Sequence, residues 1–209
     1  MSAKSPAFEV IRHDGSFEVR RYDGYLTANV RVRAAGYSDA VNVGFNPLAD
    51  YIFGNNHESS RIAMTVPVSA SHSEGQKIDM TAPVSSQRTG GQDIPMTTPA
   101  TATRSAEEYV VSFTMPAQLS MDDLPLPNNP MVVLESVEPH TVAVASFSGY
   151  LSEKGFAKAL GDLTDWIAEQ GLVPIGEPFS AQYDAPWKPG FVRHNEALIT
   201  VDPQSPGLA

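Results

Sequence analysis

Three copies of one short pattern hold the side chains best spaced for chemistry. "RIAMTVPVSA" begins at Arg61, "KIDMTAPVSS" at Lys77 and "DIPMTTPATA" at Asp93, each of the form Ile-x-Met-Thr-x-Pro. Ile62, Ile78 and Ile94 are sixteen residues apart. Met64, Met80 and Met96 therefore occupy equivalent places. A thioether is flexible and polarisable, so it adapts to a flat apolar ligand, ligates a soft metal, or fills gaps in a core. Core filling is the commoner role. Arg61 and Lys77 precede the first two copies at the same place. His57 lies just upstream in "GNNHESSRIAMT". Imidazole is a frequent metal ligand, but a solvated loop histidine is the plainer reading of one such residue.

The rest of the chain offers little for catalysis. There is no Gly-x-Ser-x-Gly elbow, no phosphate-binding Gly-rich loop and no Gly-x-Gly-x-x-Gly fingerprint. Asp122-Asp123 and Glu107-Glu108 are adjacent acids, which are more often solvated than paired for proton transfer. His13, His57, His72, His140 and His194 form no close metal-type pair. Cysteine is absent, which removes disulfides and thiolate chemistry. Lys+Arg 14 against Asp+Glu 24 gives a net charge of −10. An acidic surface repels phosphate backbones and anionic membranes, so neither nucleic acid nor membrane is an expected partner. The first residues lack the apolar stretch of a signal peptide, and no apolar run approaches the ~20 residues of a membrane span. The expected location is cytoplasmic.

Strands and two helices must position these groups. Asp14-Gly15 and Asp23-Gly24 are hairpin signals. Leu26, Ala28, Val30 and Val32 share one face of a strand, as two-residue alternation requires. Val41, Phe45, Leu48 and Ile52 draw one apolar stripe of a helix, with Ser38 or Asp39 as cap, Gly54 as stop and Pro47 as a kink or restart. Ser152 caps a second helix carrying Phe156, Leu160, Leu163 and Ile167, ended by Gly171. "MVVLESVEPHTVAVASFSGY" gives two strands hinged at Glu138-Pro139. Residues 60–104 read as extended cores ended by proline and joined by polar loops along one rim of a sheet. Residues 1–7 and 203–209 are expected to be disordered, and residues 1–209 to form one domain. The order suggests two similar halves, each a sheet with one helix.

These pieces resemble the SOUL/heme-binding protein family, its bacterial branch most closely. The match lies in "FEVRRYDGYLTANVRV", "GFNPLADYIFGNN", "RIAMTVPVS", "KIDMTAPVS", "YVVSFTMP", "VEPHTVAVASFSGY" and "PFSAQYDAPWKPGFVRHNEALITV". It runs from about residue 8 to 201, and the Met-Thr-Ala-Pro-Val core at 80–84 is its strongest marker. The resemblance implies an α+β fold: a distorted antiparallel β-barrel of about eight strands flanked by two helices, in two pseudo-symmetric halves. It also implies an open apolar cleft for heme or another tetrapyrrole beside the first helix. Phe45, Tyr51 and Ile52 on that helix, with Met64 and Met80, are the expected walls. Arg61 and Lys77 are candidates for the propionates, and His57 for an axial ligand. The third copy departs from the pattern at Pro95 and Ala100, and Asp79 puts a carboxylate near the second.

The expected function is a soluble protein that binds heme reversibly as a buffer, carrier or sensor. The alternatives are an effector-binding or interaction scaffold for other apolar ligands, and a tetrapyrrole-modifying, demetallating enzyme.

Overall fold

The turn at Asp14–Gly15 fixes the first register. Gly15 takes a left-handed φ of 61°, which a glycine adopts without strain. It folds β1 (Phe8–Asp14) onto β2 (Phe17–Tyr22), pairing Asp14 with Phe17 and Phe8 with Tyr22. The computed structural model describes residues 6–57, 81–88, 107–150, 152–183 and 189–208. After β3 (Tyr25–Ala34) the chain forms α1 (Tyr37–Ile52), the two-residue β4 (Asn56–His57), β5 (Thr81–Arg88) and β6 (Glu107–Thr114). Then come the two-residue β7 (Leu126–Pro127), β8 (Val132–Val137), β9 (His140–Ser148), α2 (Glu153–Glu169), β10 (Phe179–Gln182) and β11 (His194–Val201).

Nine of these strands form one antiparallel sheet in the order β1-β2-β9-β11-β10-β5-β6-β3-β8, and β4 pairs with β7 apart from it. Among the described residues no ladder joins β1 to β8. The mixed α+β class holds, and the ladders among the described residues do not close the sheet into the expected barrel. Its β1 edge is largely exposed and carries the surface pair Arg21–Glu9, the kind of charged border that discourages further strand pairing. The two halves are not contiguous in sequence either. β1 and β2 join β9, β10 and β11, while β3 joins β5, β6 and β8. The cross-chain ladder of β2 with β9 is what moves the N-terminal hairpin into the C-terminal half.

Each half is roofed by one helix on the same face of the sheet. α1 packs Leu48, Tyr51 and Ile52 against Ala28, Val30, Val32, Val111 and Phe113. It stays one helix through Pro47. Gly36 is its N-cap and no side chain caps it, in place of the expected Ser38 or Asp39. α2 packs Leu163, Trp166 and Ile167 against Val19, Ala143, Ala197 and Ile199. Ser152 caps it as expected, accepting from the Gly155 amide at 3.1 Å. Trp166 stacks on Phe17 with centroids 5.2 Å apart, and its Nε1 donates to Asp14 at 2.9 Å, a packing role for this aromatic.

Two expectations for the flanks change. β5 is an interior strand between β10 and β6, not a rim. The chain continues as strand through Pro83 to Arg88, with a register shift between Thr81 and Val84. A bulge of this kind lets a proline, which has no N–H to donate, sit inside a sheet. The remainder of residues 60–104 lies outside the described residues. The C-terminal tail is docked, not disordered. Pro206–Leu208 is a short 3-10 helix, Ser205 is 2% exposed, and Arg12 donates to the Gly207 carbonyl at 2.5 Å and to Gln170 at 2.9 Å. Among the described residues no helix is long and apolar enough to cross a membrane.

Candidate ligand groove on the open face of the sheet

Strand alternation builds the site. With Ala28, Val30 and Val32 under α1, the opposite face of β3 presents Tyr25, Thr27, Asn29 and Arg31. In the same way β6 turns Val110 and Ser112 away from α1, and β8 turns away Val133, Glu135 and Val137. These side chains line a groove of about 740 Å³ on the face that no helix covers among the described residues. That volume lies inside the range of small-molecule sites, roughly 300–1,000 Å³. Met131 and Val133 are about half exposed along its wall, at 49% and 50%.

His140, the first residue of β9, also borders the groove. Its Nδ1 is 2.8 Å from the Glu138 carbonyl. A carbonyl only accepts, so Nδ1 carries the proton and the neutral ring keeps the Nε2 lone pair available. Tyr22 stacks on the ring with centroids 5.6 Å apart and Tyr25 tilts against it at 5.8 Å. Burial, with Tyr22 alongside, pushes the Tyr25 phenol up to about 12. Tyr25 is therefore a neutral phenol at physiological pH. Asn29, buried mid-strand, donates from Nδ2 to Glu135 Oε2 at 2.7 Å.

A different arrangement occupies the other half of the same face. Arg20 donates to both oxygens of Glu196, at 3.0 and 2.8 Å. Tyr183 donates to Glu196 Oε2 at 2.5 Å, and His194 Nε2 sits 2.8 Å from Oε1. Arg20 Nε reaches Glu18 at 2.6 Å, and its guanidinium lies 4.5 Å over the Phe8 ring. Burial works to raise the Glu196 pKa, but bonds from His194, Arg20 and Tyr183 outweigh it and hold the carboxyl below its usual value. Burial and the Glu196 charge push the Tyr183 phenol far up. These groups spend their hydrogen-bonding capacity on each other.

Of the residues singled out from the sequence, the described ones lie away from this groove. Tyr51 and Ile52 are each 1% exposed in the core beneath α1. The Tyr51 hydroxyl donates to the Pro125 carbonyl at 2.8 Å, and burial pushes its phenol up to about 12. Phe45 is half-buried and packs edge-on against Phe113, with centroids 5.3 Å apart. These three line the helix–sheet core, not the open groove. His57 is exposed on β4, with Nδ1 2.7 Å from Asn128 Oδ1. Arg61, Met64, Lys77, Met80 and Met96 lie outside the described residues. Tyr25, Asn29, Arg31, Glu135 and His140 were missed as a set. The alternation in "YLTANVRV" already separated the β3 members from the core face, but their meeting with β8 and β9 depends on long-range pairing.

Several known proteins are similar to this chain. Heme-binding protein 2 of Mus musculus is 26% identical over 175 residues, covering 83% of this chain and 73% of that protein. Its Homo sapiens counterpart is 27% identical over the same shares. Among solved structures, the EcmrR C-terminal domain covers 93% of this chain and 98% of its own, with a TM-score of 0.60 at 9% identity. A hydrolase from Listeria innocua gives a TM-score of 0.53 at 12% identity, covering 91% and 94%. Likeness at such low identity is a likeness of fold. The SOUL heme-binding protein family model matches residues 3–76 and 69–200, and the chain belongs to that family.

Proposed function

We propose that the chain binds heme or a related tetrapyrrole reversibly in the open-face groove, as a buffer, carrier or sensor. Membership of a heme-binding family carries the ligand class. The groove supports the location, because its lining meets what a flat dicarboxylate macrocycle needs. Val110, Val133 and Phe179 supply apolar walls, Arg31 supplies a cation for a propionate, and His140 Nε2 is an available donor for iron. The hydrogen bond from His140 to a backbone carbonyl is the orientation that metal-ligating imidazoles commonly have. Bound heme would supply an iron centre able to take a further small ligand. Arg31 and the apolar walls would hold the macrocycle, and His140 would orient it.

Hemin titration followed at the Soret band tests this reading. Saturable binding at micromolar protein is the expected result, weakened about tenfold in Arg31→Glu, since a reversed charge facing a propionate forfeits a charge-assisted contact. Absence of a saturable Soret change in the wild type would reject tetrapyrrole binding.

A further inference from the structure

Asn29 is 8% exposed and lines the groove. Its Nδ2 faces Glu135 Oε2 at 2.7 Å. A carboxylate accepts only, so this bond fixes the amide with nitrogen toward Glu135 and oxygen away from it. Asn29 Oδ1 then stands without a partner, the one buried side-chain polar atom in that position among the described residues. Buried acceptors are nearly always satisfied, and an orphan beside a groove points to a donor that arrives from outside.

The surroundings define that donor. Glu135 is exposed on β8 and brings a negative charge next to the orphan oxygen. Glu138 adds a second carboxylate on the lining, and Tyr25 and His140 add aromatic surface. Val133, paired directly with Asn29 across the β3–β8 ladder, supplies an apolar neighbour. Aromatic faces beside carboxylates favour cations. The chain as a whole carries −10, which attracts positive ligands. Arg31, two residues along the same strand face, marks the end of the groove where a cation is disfavoured.

We propose that the Asn29–Glu135 end of the groove is a binding site for an organic cation: an N–H-bearing ammonium or amidinium head on an apolar or aromatic body. Asn29 Oδ1 and Glu135 accept from its N–H groups, and Tyr25, Val133 and Met131 contact the body. This ligand class is distinct from a dianionic heme, and the two compete because they share walls.

Fluorescence titration with p-aminobenzamidine tests the site. The wild type is expected to bind saturably below about 1 mM, an affinity suited to so small a ligand. Glu135→Gln and Asn29→Leu are each expected to weaken binding about tenfold, the value of one charge-assisted or buried hydrogen bond. Glu135 is exposed, so its variant keeps the fold if Asn29→Leu does not. Phenyltrimethylammonium, with equal charge and no N–H, should bind about tenfold more weakly. No binding by the wild type, equal binding by Glu135→Gln, or equal binding of the two probes would each overturn the proposal. Hemin titration of Glu135→Gln separates the two ligands. Loss of p-aminobenzamidine with hemin retained supports a distinct cation site, whereas parallel loss of both would contradict it.

Discussion

The two halves of the open face use polar groups in opposite ways. Around Glu196, 1% exposed, every charge has a partner: Arg20 is bidentate, and Tyr183 and His194 close the remaining sides. Around Asn29 one acceptor has no partner, Glu135 is exposed, and His140 keeps Nε2 available. The first arrangement is internally complete and fixes how β2 and β11 sit across β9. The second leaves one buried acceptor, Asn29 Oδ1, without a partner among the described residues. One sheet face thus carries a structural ion cluster and a candidate receptor side by side, and burial alone does not tell them apart. Hydrogen-bond satisfaction does.

Removing one partner from each half breaks this contrast most directly. Glu196→Ala leaves the buried Arg20 guanidinium with hydrogen bonds to Glu18 and Tyr22 alone. The expected cost is about 3–5 kcal/mol, that of orphaning one side of a buried pair, read by urea denaturation. Acid should act on the same cluster. The Glu196 carboxyl is held low when folded, so its contribution is present above the unfolded pKa and is lost as pH falls through the folded one. Wild type should lose stability in acid more steeply than a Glu196→Gln variant.

Next in size is the roof over the groove half. A Cβ on Gly44 would meet Val111 at 2.7 Å. α1 approaches β6 closely only because that side chain is missing. Gly44→Ala should cost about 1–3 kcal/mol by overpacking, despite its better helix propensity, and calorimetry would show the lowered Tm.

The alkaline limb is a smaller effect. Tyr25 and Tyr51 are both pushed up to about 12 by burial, against an ordinary value of about 10. Between those values the unfolded chain has released protons that the folded chain keeps, so stability falls as pH rises from about 10 to about 12. Tyr25→Phe should flatten that decline in denaturation series across this window. Smallest of all, Glu135→Gln, which keeps an acceptor for Asn29 Nδ2, should change stability by no more than about 0.5 kcal/mol, as expected of an exposed residue. A large loss there would mean that the groove carboxylate is structural after all.

Much of the fold was legible locally. The α1 and α2 stripes, the Ser152 cap and the break at Glu138-Pro139 all follow from short-range spacing, and the structure has them. What failed was long-range. Nothing local reveals that β2 pairs with β9, or that β5 threads between β10 and β6, because ladders depend on which distant edges meet. The groove was not legible for the same reason. Tyr51 and Ile52 looked like cleft walls because a helical stripe does not say how deeply it is buried. The groove residues instead occupy the polar-looking side of β3, where Thr27, Asn29 and Arg31 read as a solvated face.

The central claim is that the ligand sits on the open face between β3 and β8. Val133, half exposed on the groove wall, offers a direct block. Hemin titrations of Val133→Trp and His57→Ala, with each fold verified by circular dichroism, compare the groove with the α1 side. Affinity reduced at least about tenfold in Val133→Trp, the effect of filling a shared apolar wall, and unchanged in His57→Ala is the expected result. Undiminished binding by Val133→Trp, with loss in His57→Ala, would contradict it.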